Sequence, residues 1–261
     1  MTIEQKMFFG FTDNRVRLTD NLGFFFSCFK EDDAVRFCIN NIRSFYPDSP
    51  IYLASDGGSD FSDLERQYEN LKFRLYEDKL GYVNHPETKD KEKLIECCEE
   101  FLERIKAATE YSNKEYMIYY EPDVFLRGQI RVESDLHING SYANTMDHTV
   151  LEYIDRKNPQ NSNLNFGACG GSIMRASSLI DVISRTDRSL LRDLVYLDPR
   201  ISNCDFLLTV LFNVHGYRYH VNSDFIEARR DQQWTTTGHS IVHQFHHNYQ
   251  GNYDGKYSKS K

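Results

Sequence analysis

An apolar run, Tyr116-Met117-Ile118-Tyr119-Tyr120, ends in Glu121-Pro122-Asp123, which places two carboxylates one residue apart. The proline fixes the backbone between them. Paired hard oxygens on such a turn suit Mg²⁺ or Mn²⁺, ions that favour oxygen ligands and keep positions for substrate phosphates. An ordinary acidic strand end reads the same way. A second carboxylate turn is Asp56-Gly57-Gly58, after Pro50-Ile51-Tyr52-Leu53-Ala54-Ser55. There Asp56 can accept a hydrogen bond from a base or a ribose, while Gly57 and Gly58 let backbone come close to a ligand. The same three residues also make a plain turn.

Three further groups carry chemistry. Gly167, Gly170 and Gly171 fall within five residues and run into the apolar Ile173 and Met174. Glycines there allow either close approach of a ligand or tight packing. Four histidines stand at 239, 243, 246 and 247. As a helix, positions 239, 243 and 247 stack and could hold zinc. As a strand, His243 shares a face with Ile241 and Phe245. The economical use is His243 alone, completing a metal site begun by Glu121 and Asp123. Finally, Asp205 opens an apolar helix, where it can be an N-cap or a general base held toward a cleft.

The elements that must position these groups are legible in the first half. Apolar residues at 23–29 have buried-strand length, and Ala34, Val35, Cys38, Ile39 and Ile42 recur at helical spacing in Asp32–Phe45. Strands follow at 50–55, 73–76 and Tyr116–Tyr120, with helices at 61–70 and 91–111. That alternation implies a mostly parallel sheet with crossover helices. Ligands bind at the carboxyl ends of such strands, where the Asp56 turn and the Glu121 turn should both lie. The second half reads as strands at 141–146, 170–175, 217–221 and 241–245, and helices at 177–184 and 203–213. The fold class expected is a single α/β domain over 1–261, its halves dividing near 125, with a frayed tail from Gly251.

Composition bounds the partners. With 31 Lys+Arg against 39 Asp+Glu the net charge is −8, which excludes broad binding to nucleic acid or anionic lipid. No apolar run approaches the ~20 residues of a transmembrane segment, and the acidic N-terminus lacks the layout of a secretory signal. The six cysteines form no C-x-x-C, so reduced thiols and a cytoplasmic location are the expectation.

Taken in order, these motifs resemble the nucleotide-sugar glycosyltransferases of the GT-A fold over roughly residues 22–247. In that family an early strand ends in an Asp that reads the nucleotide base, here Asp56. The fourth strand ends in a D-x-D metal motif, here with Glu121 in place of the first Asp. A G-G-S-I-x-R strand matches Gly170-Gly171-Ser172-Ile173-Met174-Arg175. An acid-led helix ending in G-Y-R matches Cys204-Asp205 through Gly216-Tyr217-Arg218, and a late His, here His243, often completes the metal site. The resemblance implies Mn²⁺ or Mg²⁺, a nucleoside-diphosphate sugar donor (UDP first, GDP second) and a hydroxyl of a glycan or glycoconjugate as acceptor. It further implies an inverting transfer with Asp205 as base and Asp198 as second candidate; a retaining enzyme would turn Asp205 toward the donor sugar. The other classes compatible with the residues are a metal-dependent nucleotidyltransferase, a zinc hydrolase built on the C-terminal histidines, and a non-catalytic carbohydrate-binding protein.

Overall fold

A computed structural model describes residues 15–29, 32–77, 80–83, 89–133, 137–140, 144–145, 148–159, 165–166, 170–217, 219–222, 224–228 and 240–244. After a short β1 (Arg15–Arg17), the chain alternates β2 (Leu22–Cys28), α1 (Asp32–Phe45), β3 (Ile51–Asp56), α2 (Ser62–Gln67), β4 (Leu71–Tyr76), α3 (Lys91–Ser112) and β5 (Tyr116–Tyr120). Each element follows from its residues. The centre of β2 is Phe24, Phe25 and Phe26, all buried. A strand covered on both faces reads as a continuous apolar run rather than an alternation, and losing one such ring costs roughly 3–5 kcal/mol. Helix α3 starts where the Asp90 side chain accepts the Glu92 N–H and stops at Asn113, which adopts the left-handed conformation.

The central sheet has seven strands in the order β12-β8-β11-β5-β2-β3-β4. Its remaining members are β8 (Ile138–Gly140), β11 (Ile173–Arg175) and β12 (Tyr219–Val221). Strands β4, β3, β2 and β5 are mutually parallel, and β12 is parallel to β8. Only β11 runs against its neighbours, pairing antiparallel with β5 and β8. The chain therefore moves outward from β2 to β4 and returns to place β5 on the other side of β2. That reversal is a topological switch point, and its crevice opens at the carboxyl ends of β2 and β5. Register puts Phe26 opposite Tyr120 and Cys28 opposite Ser55, so Glu121 and Asp56 emerge at the same edge of the sheet.

Two apolar layers sandwich this sheet. Phe24, Phe26, Ile118 and Tyr120 pack with α1 residues such as Val35 and Ile39. Phe25, Met117 and Tyr119 face the other way, onto Phe101 of α3 and onto Leu208 and Leu211 of α7 (Cys204–Val214). Each layer draws on residues from both halves of the chain.

The second half departs from the sequence expectation in several places. Of the strand expected at 141–146 only Asn144–Thr145 lie within the described residues, and they form a two-residue β9 that pairs with β10 (Asn165–Phe166). The strand expected from Gly170 begins only at Ile173, because Gly171 has φ +94° and turns the chain instead. Helices α4 (His148–Lys157), α5 (Ala176–Arg185) and α6 (Arg188–Leu197) fill the region. Of these, α5 was expected one residue shorter at each end, and α4 and α6 were not expected. A further sheet joins β13 (Phe225–Ala228), β14 (Ile241–Gln244) and β6 (Val124–Leu126), while β7 (Arg131–Glu133) pairs with β1. No helix among the described residues is long and apolar enough to cross a membrane. Cys28, Cys38, Cys97, Cys98 and Cys204 carry unbridged thiols; Cys169 and the tail from Gly251 lie outside the described residues.

Candidate metal and catalytic site

The turn after β5 is built by short-range hydrogen bonds and then clamped from α1. Val124 N–H donates to the Glu121 carbonyl at 3.0 Å, closing the turn around Pro122 and Asp123. The Cys38 thiol lies 3.3 Å from the Pro122 carbonyl and 3.5 Å from that of Val124. Asn41 completes the clamp: its amide donates to the Leu126 carbonyl at 2.9 Å, and its side-chain oxygen accepts the Leu126 N–H at 2.7 Å. A helix held to a strand by both groups of one amide fixes the register of β6, and with it the Asp123 side chain.

His243 arrives from β14, which pairs antiparallel with β6 so that His243 stands opposite Val124. Its Nε2 lies 3.2 Å from Asp123 Oδ2, and both side chains are buried. Ligand atoms from Glu121, Asp123 and His243 all lie within 4.8 Å of one another. Two carboxylates and an imidazole gathered at this spacing are a donor set for a divalent cation. The start of β14 is anchored to the residue before β13: the Asp224 carbonyl accepts the N–H groups of Ser240 and Ile241. Asp224 Oδ2 also accepts the Arg131 N–H at 3.0 Å.

Gly170 and Gly171 pack against this centre. A Cβ at residue 170 would stand 2.5 Å from Glu121 Oε2, and one at residue 171 would stand 2.5 Å from the Phe225 ring. That ring lies 6.3 Å from the imidazole of His243. Side chains of the protein itself lie where a Cβ at either glycine would stand. Tyr119 and residues 171–172 are joined through backbone, Gly171 N–H to the Tyr119 carbonyl at 2.7 Å and Tyr119 N–H to the Ser172 carbonyl at 2.9 Å.

On the α7 side, the Tyr119 hydroxyl donates to Glu121 Oε1 at 2.8 Å. Burial, then the Glu121 carboxylate, the Cys204 thiol and Asp205, hold that hydroxyl well above the usual phenol range, so it remains a donor. Burial followed by the charges of Asp205 and Glu121 likewise keeps the Cys204 thiol protonated. Asp205 and Glu121 therefore act on the same two buried groups. The helix cap is Asn203 rather than Asp205, which sits in the first turn of α7. There its charge faces the positive end of the helix dipole.

The other sequence candidates have clear positions. Asp56 ends β3, and both its oxygens take protein donors: Arg104 Nη1 on Oδ1 at 2.7 Å and Leu80 N–H on Oδ2 at 2.9 Å. Arg104 is 1% exposed, pairs also with Glu100 at 3.0 Å and stacks 4.0 Å above the Tyr76 ring. Gly57, at φ +62°, donates to the Tyr76 carbonyl and turns the chain away from the sheet. Asp198 accepts from the Arg200 N–H at 3.0 Å and pairs with Arg200 Nη2 at 2.6 Å, so it caps a short 3-10 segment, Pro199–Ser202. His243 lies on a strand, so the single-helix stacking of residues 239, 243 and 247 does not hold at 243. His239, His246 and His247 lie outside the described residues.

Sequence reasoning did not single out Tyr119, Cys38, Asn41, Arg104 or Phe225. Tyr119 had a signal, since a residue two positions before Glu121 on a strand shares its face. The others act from elements distant in sequence and carried none.

No protein-family model matches this chain, and no curated protein matches it in sequence. Among solved structures it is similar to the galactosyltransferase LgtC in complex with donor and acceptor sugar analogues. That likeness has a TM-score of 0.49 at 13% identity, over 86% of this chain and 88% of that one. An active-site mutant of LgtC gives a TM-score of 0.46 at 14% identity, over 85% and 86%. At these scores and identities the likeness assigns no chemistry to this chain.

Proposed function

We propose that this chain is a divalent-metal-dependent glycosyltransferase. It moves a sugar from a nucleoside-diphosphate sugar, UDP first and GDP second, to a hydroxyl of a glycan or glycoconjugate. The observation that carries this reading is the gathering of Glu121, Asp123 and His243 at the carboxyl end of β5, beside the switch point of the sheet. The order of motifs along the chain supports it. Acid groups at such a crevice suit a diphosphate only through a cation, because carboxylates repel it directly.

Glu121, Asp123 and His243 would hold Mn²⁺ or Mg²⁺. A bound divalent cation supplies the positive charge that stabilises a departing diphosphate. Asp205, in the first turn of α7, is proposed to take the proton from the acceptor hydroxyl as it attacks the sugar carbon, which inverts that carbon. Asp198 is the weaker candidate, because its carboxylate already caps a helix and pairs with Arg200. Asp56 and Gly57 border the donor side. With both Asp56 oxygens engaged by Arg104 and Leu80, their contribution is to fix the loop edge along which a nucleotide would lie.

The test is thermal denaturation with UDP, GDP, CDP and ADP, each with Mn²⁺ and with EDTA. UDP with Mn²⁺ should raise the melting temperature most. An equal rise in EDTA would overturn the cation site.

A further inference from the structure

The acidic pair of this chain begins with a glutamate, one methylene longer than an aspartate, and the structure holds that longer side chain on one side and leaves room for it on the other. The Tyr119 hydroxyl donates to Glu121 Oε1 at 2.8 Å. On the other side, Glu121 Oε2 lies 2.5 Å from where a Cβ at residue 170 would stand, and Glu121 Cβ lies 3.3 Å from it. A side chain at 170 would thus displace the carboxylate, and Gly170 is held beside it by the hydrogen bonds linking Tyr119 to Gly171 and Ser172. Tyr119 cannot drift, because its ring packs on Phe25 and Phe101 at centroid distances of 5.9 and 5.7 Å.

We propose that Tyr119 and Gly170 are positioning residues that together orient the Glu121 carboxylate for a divalent cation, and that this clamp is specific to glutamate at that position. The proposal rests on the cation reading of the site. Its physical basis is rotamer restriction. A glutamate has three side-chain torsions, and a carboxylate oriented by an outer hydrogen bond binds metal with less entropy to lose. An aspartate at 121 would not reach the position that Oε2 occupies beside Gly170, although Val124 Cγ2, 3.0 Å from where a Cβ at 170 would stand, crowds that residue in either case.

The experiment is direct titration with Mn²⁺ alone, following free Mn²⁺ by electron paramagnetic resonance, with circular dichroism to confirm the fold. Tyr119→Phe keeps the ring and loses only the hydroxyl; it should weaken Mn²⁺ binding roughly 10–100-fold, as loss of an outer partner to a metal ligand does. Gly170→Ala should weaken binding in the wild-type background and less in Glu121→Asp, because the shorter acid removes the 2.5 Å clash with Oε2, while the contacts with Val124 Cγ2 at 3.0 Å and with the Cβ of residue 121 at 3.3 Å stay in both backgrounds. Unchanged Mn²⁺ affinity in Tyr119→Phe overturns the proposal, as does a Gly170→Ala penalty equal in both backgrounds. If Gly170→Ala does not fold, Tyr119→Phe alone decides. Failure of the wild type to bind Mn²⁺ overturns the cation reading and the clamp together. Wild-type binding lost in Asp123→Asn but untouched in Tyr119→Phe overturns the clamp alone.

Discussion

Asp123 and His243 differ in what each would give a cation, and the difference sets the outcome of removing them. Asp123 contributes a full negative charge from a fully buried position, while neutral His243 contributes one lone pair that water can replace. Asp123→Asn keeps the shape of the side chain and should abolish sugar transfer; His243→Ala should lower it less. Near-wild-type turnover in Asp123→Asn, read in a sugar-transfer assay, would place the metal elsewhere. Asp205 separates mechanisms. As a general base, its change to Asn should lower kcat by ~10²–10⁴ with donor KM little changed. Asn203 holds the N-cap position without a side-chain capping bond and Asp205 lies in the first turn, so urea unfolding of Asp205→Asn separates loss of helix stability from loss of the base. Product anomer by NMR is an independent check, since retention at the transferred carbon removes the base role. Glu121, Asp123, His243 and Asp205 were all visible in the sequence as acids or a histidine beside an apolar run. What was not visible is the thiol and amide that fix the turn, because Cys38 and Asn41 meet it from some 84 or 85 positions away.

At the scale of elements, the Asp56–Arg104 pair ties β3 to α3. Both groups are almost wholly buried, and Arg104 also reaches Glu100 and lies over Tyr76. Breaking a buried pair from one side leaves an uncompensated charge and typically costs about 3–5 kcal/mol. Arg104→Met should therefore destabilise the protein by about that amount in urea unfolding. Asp56→Asn should cost less, since Arg104 keeps Glu100. Loss of under about 1 kcal/mol in Arg104→Met would show that the pair is dispensable to the fold. The elements of the first half were legible because their periods are strong: Val35, Cys38, Ile39 and Ile42 mark α1, and Phe24–Phe26 mark β2. The described strands of the second half have two to four residues, too few for a period to mark most of them. Helix α6 did carry a readable stripe, Leu191, Leu194 and Val195 behind the Asp187 cap. Helix α4 buries only Val150 and Ile154 among its residues and gives little to read.

Over the whole molecule, the site depends on both halves of the chain, and so does the core. Glu121 and Asp123 come from the parallel half, whereas His243, Gly170 and Asp205 come from beyond residue 126. The apolar layer around Phe25 and Tyr119 includes Leu208 and Leu211, and the layer around Phe24 and Tyr120 includes Ile173 and Ile241. A half severed near residue 125 would expose the inner face of β5 and lose both layers. The expected behaviour is one cooperative unfolding transition, with calorimetric and van't Hoff enthalpies equal. Nucleotide and cation bound across the halves should move that transition as a unit. At a hundredfold excess over Kd the stabilisation is ~2.7 kcal/mol, which for a chain of this length is a rise of about 5 °C. Scanning calorimetry of the full chain, with and without UDP and Mn²⁺, reads both quantities. Two transitions, only one of them shifted by ligand, would mean that the halves fold separately and that the site belongs to one of them.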